Sequence, residues 1–190
     1  MITAVIATQR LALRAWTEAD LDQFARLNAD LRVMEYFPKT LSRTESDELA
    51  ARIRASIEKH GFGFWAAEAP GVASFIGMIG LNVPSFEAPF TPCVEIGWRL
   101  APQFWGQGYA SEGARAALAY GFERLGLNEV VSFTVPANIR SRAVMKRIGM
   151  SRSAADDFLH PNLPKDHPLK PHVLYRLSRA DWRSRGDAFT

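Results

Sequence analysis

The sequence predicts an α/β domain of the α+β kind, and three observations carry that reading. Apolar residues recur with a helical period in two stretches near the N-terminus. Three successive segments then read as strands, taken as antiparallel neighbours. Finally a strand empties into a glycine turn that opens a further helix.

In chain order, Leu11 and Leu13 alternate with Arg10, Ala12 and Arg14 as a first strand. Thr17 is placed as the cap of a helix carrying Leu21, Phe24, Ala25 and Leu27 or Asn28 on successive turns. Ser42 and Glu45 form a capping box for a second helix with Leu49, Ile53 and Ile57. Residues 62–68, 73–81 and 91–100 are the three successive strands, and 109–125 is the helix after the turn, with Ala114, Leu118 and Phe122 facing inward. A strand over 130–135 leads to a short amphipathic helix: Asn138 is its N-cap, Gly149 its left-handed stop, and Val144, Met145 and Ile148 its buried stripe. The proline-rich segment 156–171 reads as a loop and 172–178 as a closing strand.

At 190 residues the chain suits one domain, 1–190, long enough to bury roughly 70% of its unfolded surface. No run approaches the eighteen or so apolar residues of a membrane helix, and the N-terminus lacks a secretory pattern, so a soluble cytoplasmic protein with no membrane partner is expected. The net charge of +3 is spread along the chain, which argues against nucleic acid as a partner. Arg176, Arg179, Arg183 and Arg185 are read as solubility, with ribosomal RNA docking as the alternative, while Arg140, Arg142, Lys146 and Arg147 crowd one helix as either a solvated face or a partner for phosphates. Cys93 is the single cysteine, so it forms no internal disulfide, and with no histidine beside it in sequence it reads as packing. His160, His167 and His172 share a loop without metal-site spacing, so no metal is expected.

The richest stretch runs from Glu95 to Ser111. Gly106 and Gly108 strip side chains from the turn, so backbone N–H groups converge on an anion at the positive end of the next helix. This is a phosphate cradle, although a lone Gly-x-Gly also describes any tight strand-to-helix turn. Tyr109 and Ala110 stand where a nucleoside triphosphate site needs Lys and Ser or Thr. Glu129 lies about the right distance away for a dinucleotide site but precedes the next strand instead of ending it.

With the second constellation, Asn138-x-x-Ser141 on a helix ending at Gly149, the chain resembles the GNAT superfamily of acyl-CoA N-acyltransferases. Gln103-Phe104-Trp105-Gly106-Gln107-Gly108 matches the superfamily signature. The run 105–112, together with Thr8 to Arg14, Trp16 and Asp20, is similar to the ribosomal-protein-alanine N-acetyltransferase branch. The resemblance implies a central mixed, mostly antiparallel sheet of about seven strands flanked by four helices and splayed to hold acyl-CoA. It implies acetyl-CoA as co-substrate, bound by Trp98, Arg99 and Leu100 through backbone amides, by Gln103, Trp105, Gly106, Gln107, Gly108, Tyr109 and Ala110 in the turn, and by Asn138, Ser141 and Met145.

The implied reaction is attack of a primary amine on a thioester, which requires the amine to be neutral. Glu95 alternates with Gly97 and Arg99 on one strand face and occupies the place where several GNAT enzymes carry a catalytic glutamate; the alternative is pairing with Arg99 or a helix base. Many GNAT enzymes place a tyrosine seven residues after the Asn to serve the departing sulfur. Met145 stands there and has no proton to give, so Ser141 is the substitute, as in the ribosomal-protein branch; otherwise it is an ordinary first-turn serine. The acceptor is a peptide N-terminus or a small-molecule amine, with Tyr36, Phe37, the 84–92 loop and the 156–171 loop as cleft walls and Asp156 and Asp157 to attract a cationic amine. A catalytically silent acyl-CoA-binding module is the competing reading, and exposed strand edges leave a homodimer open.

Overall fold

The structure, a computed structural model, describes residues 6–184. Its strands are β1 (Ile6–Ala7), β2 (Ala12–Arg14), β3 (Phe64–Ala69), β4 (Ala73–Asn82), β5 (Glu95–Leu100), β6 (Glu129–Thr134), β7 (Ser151–Arg152), β8 (Phe158–Leu159) and β9 (Pro171–Ser178). Its α-helices are α1 (Asp20–Ala29), α2 (Arg43–His60), α3 (Tyr109–Ala119), α4 (Ile139–Arg147) and α5 (Arg179–Ser184). The strands form one mixed sheet in the order β1-β2-β3-β4-β5-β6-β9-β7, with β8 paired to β9. Every pairing is antiparallel except β5 with β6. The sheet has nine strands where about seven are expected, and three of the nine, β1, β7 and β8, are fragments of two residues each, too short to show a period in sequence. The additional helix, α5, is a single short segment after β9.

Local chemistry explains where the helices begin and end. The Ser42 hydroxyl accepts from the Glu45 N–H at 3.2 Å while the Glu45 carboxylate accepts from the Ser42 N–H at 2.8 Å, and Gly61 stops α2 with φ of 76°. Thr17 does not cap α1, although its place in the sequence predicts a cap there. Helix α1 starts at Asp20, with Ala19 as its uncapped first boundary residue, and Thr17 is a donor: its N–H and hydroxyl reach Asp20 Oδ2 at 2.7 and 3.0 Å. Asp20 also takes both Arg14 guanidinium nitrogens, so a buried carboxylate organises this turn. The helix expected over 109–125 is α only to Ala119 and then widens into a π turn over Tyr120–Arg124. There the bare Gly121 Cα sits so close to Leu81 and Leu127 that a methyl group would lie 3.2 Å from each.

The core lies on both faces of β4, whose central residues are all buried, as a strand covered on two sides must be. Trp65, Ile76, Ile79, Leu81, Ile96 and Leu118 are fully enclosed there. Trp16, Phe24 and Phe75 close the α1 end with ring centroids 4.8 to 6.4 Å apart. The expected stripe on α4, Val144, Met145 and Ile148, is buried.

What positions the site is the parallel pair. β5 and β6 share a single register point, Glu95 with Val131, supported by Val131 N–H to Val94 O and Ser132 hydroxyl to Ile96 O, each 2.9 Å. Beyond it, Gly97 to Leu100 pair with β4 but with no residue of β6. The sheet is split at its centre, and a row of backbone amides faces the gap.

The C-terminal arginines are not merely solvated. Arg176 pairs with Glu129 at 2.8 Å and Asp156 at 3.0 Å, and Arg179 donates to Leu127 O at 2.6 Å; Arg185 lies outside the described residues. Among the described residues, no helix is long and apolar enough to cross a membrane.

Candidate active site

The gap between β5 and β6 widens into a cleft of about 1370 Å³. Its ceiling is the glycine turn. Trp105 Nε1 donates to Leu100 O and Gln107 Nε2 to Gln103 O, both at 2.7 Å, which folds the segment back on itself. Gly106 and Gly108 have φ of 74° and 85°, a region that disfavours side chains, and Gly108 starts α3 with no side-chain cap. The free N–H groups of that first turn face the cleft end with the positive pole of the helix dipole.

A strap that sequence reasoning missed holds this turn from outside. Arg10 Nη1 donates to Gln107 O at 2.9 Å, and its Nε and backbone N–H reach Glu112 at 2.7 and 2.8 Å. The Thr8 hydroxyl adds a bond to Glu112 at 2.6 Å, and the guanidinium lies 4.8 Å from the centre of the Tyr109 ring.

From β5 the cleft receives Glu95, Trp98, Arg99 and Leu100; from the turn Trp105 to Ala110; and from the α4 region Asn138 and Ser141. Two residues expected here do not line it. Gln103 points to solvent with only its carbonyl engaged, and Met145 is 1% exposed in the core, because the α4 stripe that carries it faces inward. Asn138 caps α4 by accepting from Ser141 N–H at 3.1 Å and donates to Thr134 Oγ1 at 3.0 Å, so its side chain is engaged at both ends. The Ser141 hydroxyl has no hydrogen-bond partner among the described residues. Of the four basic residues on α4, Arg140 and Arg147 line the cleft; Arg140 pairs with Glu35 at 2.8 Å and covers the Trp105 ring at 4.6 Å.

Glu95 sits at the hinge of the split. Asn82 Nδ2 donates to it at 3.3 Å, and no cation pairs with it among the described residues. The Phe64 ring crowds the neighbouring Gly97, where a methyl group would meet Cε1 at 3.0 Å. Loss of water around the carboxyl pushes its pKa up to about 7, against a smaller opposing effect of the Asn82 bond. The expected partner Arg99 turns elsewhere: its Nη1 donates to Asn28 Oδ1 at 2.6 Å and its guanidinium lies 4.2 Å from the centre of the Phe37 ring.

Asp156 and Asp157 do not serve the cleft. Asp156 pairs with Arg176, and Asp157 with Arg152. Tyr36 and Phe37 do line it. Across from them Phe133, His160 and His172 line the cleft, together with Asn162, Leu163 and Leu169 of the 156–171 loop, whereas no residue of the 84–92 loop does. Phe86 and Phe90 of that loop instead pack with Phe158 behind Phe133, His160 and His172, with centroids 4.7 to 6.4 Å apart. Burial lowers the pKa of both histidines, which favours neutral rings. Cys93 is half-buried, and burial followed by the nearby Glu95 charge pushes its thiol up to about 11, which makes it a poor nucleophile.

Residues 10–151 match the acetyltransferase (GNAT) domain, so the chain belongs to the GNAT acetyltransferase family. It is 40% identical over 127 residues to the FsC-acetyl coenzyme A-N(2)-transacetylase of Aspergillus fumigatus, covering 64% of this chain and 52% of that one. The chain thus spans about half the length of that relative. It is 29% identical over 177 residues to the uncharacterized N-acetyltransferase YnaD of Bacillus subtilis, covering 93% and 98% of the two chains. A GNAT-family acetyltransferase from Bacillus anthracis shares the fold with a TM-score of 0.77 at 24% identity, covering 93% and 99%.

Proposed function

We propose that the protein moves an acetyl group from acetyl-CoA to a primary amine by direct attack within a ternary complex. One observation carries the reading: a carboxyl group poised near neutrality, Glu95, stands at the hinge of a split sheet whose open edge leads to an uncapped glycine turn. The relative whose name contains acetyl coenzyme A supports the choice of donor. Along Gly97 to Leu100 the alternate backbone groups that turn away from β4 are open to an extended pantetheine arm, and the turn takes the pyrophosphate.

In this reading ionised Glu95 accepts a proton from the ammonium form of the acceptor, directly or through one water, and frees the lone pair that attacks the thioester carbon. The new C–N bond forms, the C–S bond breaks, and the Ser141 hydroxyl donates to the sulfur as charge collects there; the nitrogen gives up its second proton and the sulfur takes one up, so the products are the amide and free CoA thiol. The acceptor is a peptide N-terminus or a small-molecule amine. The 105–112 run and Asn138-x-x-Ser141 favour the ribosomal-protein-type branch.

Thiol release from acetyl-CoA across amines, dipeptides and N-terminal peptides tests the reading. Release that depends on the amine supports it, and binding of acetyl-CoA without release across the panel leaves the silent binder. A second measurement addresses the turn alone. In Gly108→Val the added Cβ meets Arg10 Nη2 at about 3.2 Å and needs a φ of 85°. We expect acetyl-CoA affinity by calorimetry to fall at least tenfold, with a stability loss of roughly 1–3 kcal/mol. Unchanged affinity removes the turn from the binding site.

A further inference from the structure

The second charged group on the Glu95 face of β5 names the chemistry of the acceptor, an inference that rests on the acetyl-transfer reading. Strand alternation places Glu95, Gly97 and Arg99 on one face, opposite Asn82, Gly80 and Met78 of β4. Both charged side chains line the same cleft.

Among the described residues, Arg99 is a cation without an anion. Its Nη1 bonds the neutral Asn28 amide, and its Nε is enclosed with no partner among them. The acids of the adjoining segment are engaged elsewhere, Asp30 by Arg32 and Glu35 by Arg140. By contrast Arg10, Arg14, Arg43, Arg54, Arg152 and Arg176 each hold a carboxylate. Arg99 is part-buried, and desolvating an unpaired guanidinium is costly; here that loss of water pushes its pKa down to about 10. The Phe37 ring offsets part of that cost. A strut between β5 and α1 does not need the charge, since a neutral amide also bonds Asn28. The cleft offers the phosphates of the donor another cation, Arg147 of α4.

We infer that Arg99 receives a carboxylate on the acceptor, so that the preferred substrate is a primary amine carrying its own carboxylate some bonds away. The two positions are four residues, roughly 13 Å, apart along the strand before their side chains lean together. That span suits a dipeptide or an ω-amino acid better than an α-amino acid. The same guanidinium repels a polyamine.

Matched acceptor pairs test this: glycylglycine against glycylglycinamide, and 6-aminohexanoate against 6-aminohexanamide. In the wild type we expect kcat/KM to favour the acid of each pair at least tenfold, in Arg99→Gln the ratio to fall close to one, and in Arg99→Lys part of it to survive. Equal rates within the wild-type pairs overturn the inference, as does a preference that persists in folded Arg99→Gln. Calorimetry of the same pairs with the CoA-saturated protein separates the two layers. Acids that bind in preference to amides without turnover of any amine keep the carboxylate site and reject acetyl transfer. Acids and amides turned over alike do the reverse, and acids that neither bind nor react reject both. If Arg99→Gln fails to fold, the wild-type pairs decide alone.

Discussion

Replacing Glu95 with glutamine is expected to lower turnover on the order of 10²-fold at neutral pH, because the hydrogen-bonding shape survives while the base is lost. The pH profile is the sharper readout. Wild-type turnover should climb through pH 7, where Glu95 ionises, and Glu95→Gln should lose that limb and recover partly as pH rises toward the pKa of the acceptor itself. Stability moves the other way. The folded protein holds this proton up to about pH 7 while the unfolded chain releases it near 4.5, so the unfolded state binds fewer protons across that interval. Wild-type stability therefore declines from about pH 4.5 to 7, whereas the glutamine variant is spared the decline. Denaturant melts of both proteins at pH 5 and pH 8 check it, and a retained acidic limb with retained rate makes Glu95 structural.

The second large effect is expected at Ser141. A donor to the sulfur strengthens as charge develops, so Ser141→Ala should cost about 10- to 100-fold in turnover, or roughly 1.4 to 2.7 kcal/mol, with acetyl-CoA affinity nearly unchanged. An ordinary first-turn serine predicts a few tenths of a kcal/mol in stability and no kinetic change. The Asn138 cap uses the Ser141 backbone N–H and not its hydroxyl, so the substitution leaves the helix start intact. Wild-type turnover in a folded variant removes Ser141 from the mechanism.

The parts of this site that were legible in sequence are those whose determinants are neighbours in the chain. Gly106 and Gly108 announce their turn because few other residues tolerate that backbone, and Ser42 with Glu45 announce a helix start because both halves of the box lie three residues apart. Thr17 misled for the same local reason: three residues separate it from Asp20, and only the burial of Asp20 against Arg14 shows which side chain is acceptor. The contacts that were not legible are long-range. Asn28 meets Arg99 across 71 residues, and the rings around His160 come from the 83–94 loop, β6 and the β8–β9 region. The motif position of Met145 implies a ligand contact, whereas its own apolar stripe places it in the core, where it lies.

The strap from Arg10 means that the glycine turn is not a portable cassette. Residues 103–112 contain the whole recognisable motif, yet the bonds that fix its outer wall come from Thr8 and Arg10, with Glu112 reached across 104 and 102 residues. Grafted onto another strand and helix, the motif would arrive without its clamp, and the loop that closes it during folding encloses more than half of the chain. The opening of the protein and its middle are thus a single mechanical unit, whose completion waits on one of the most distant encounters in the molecule.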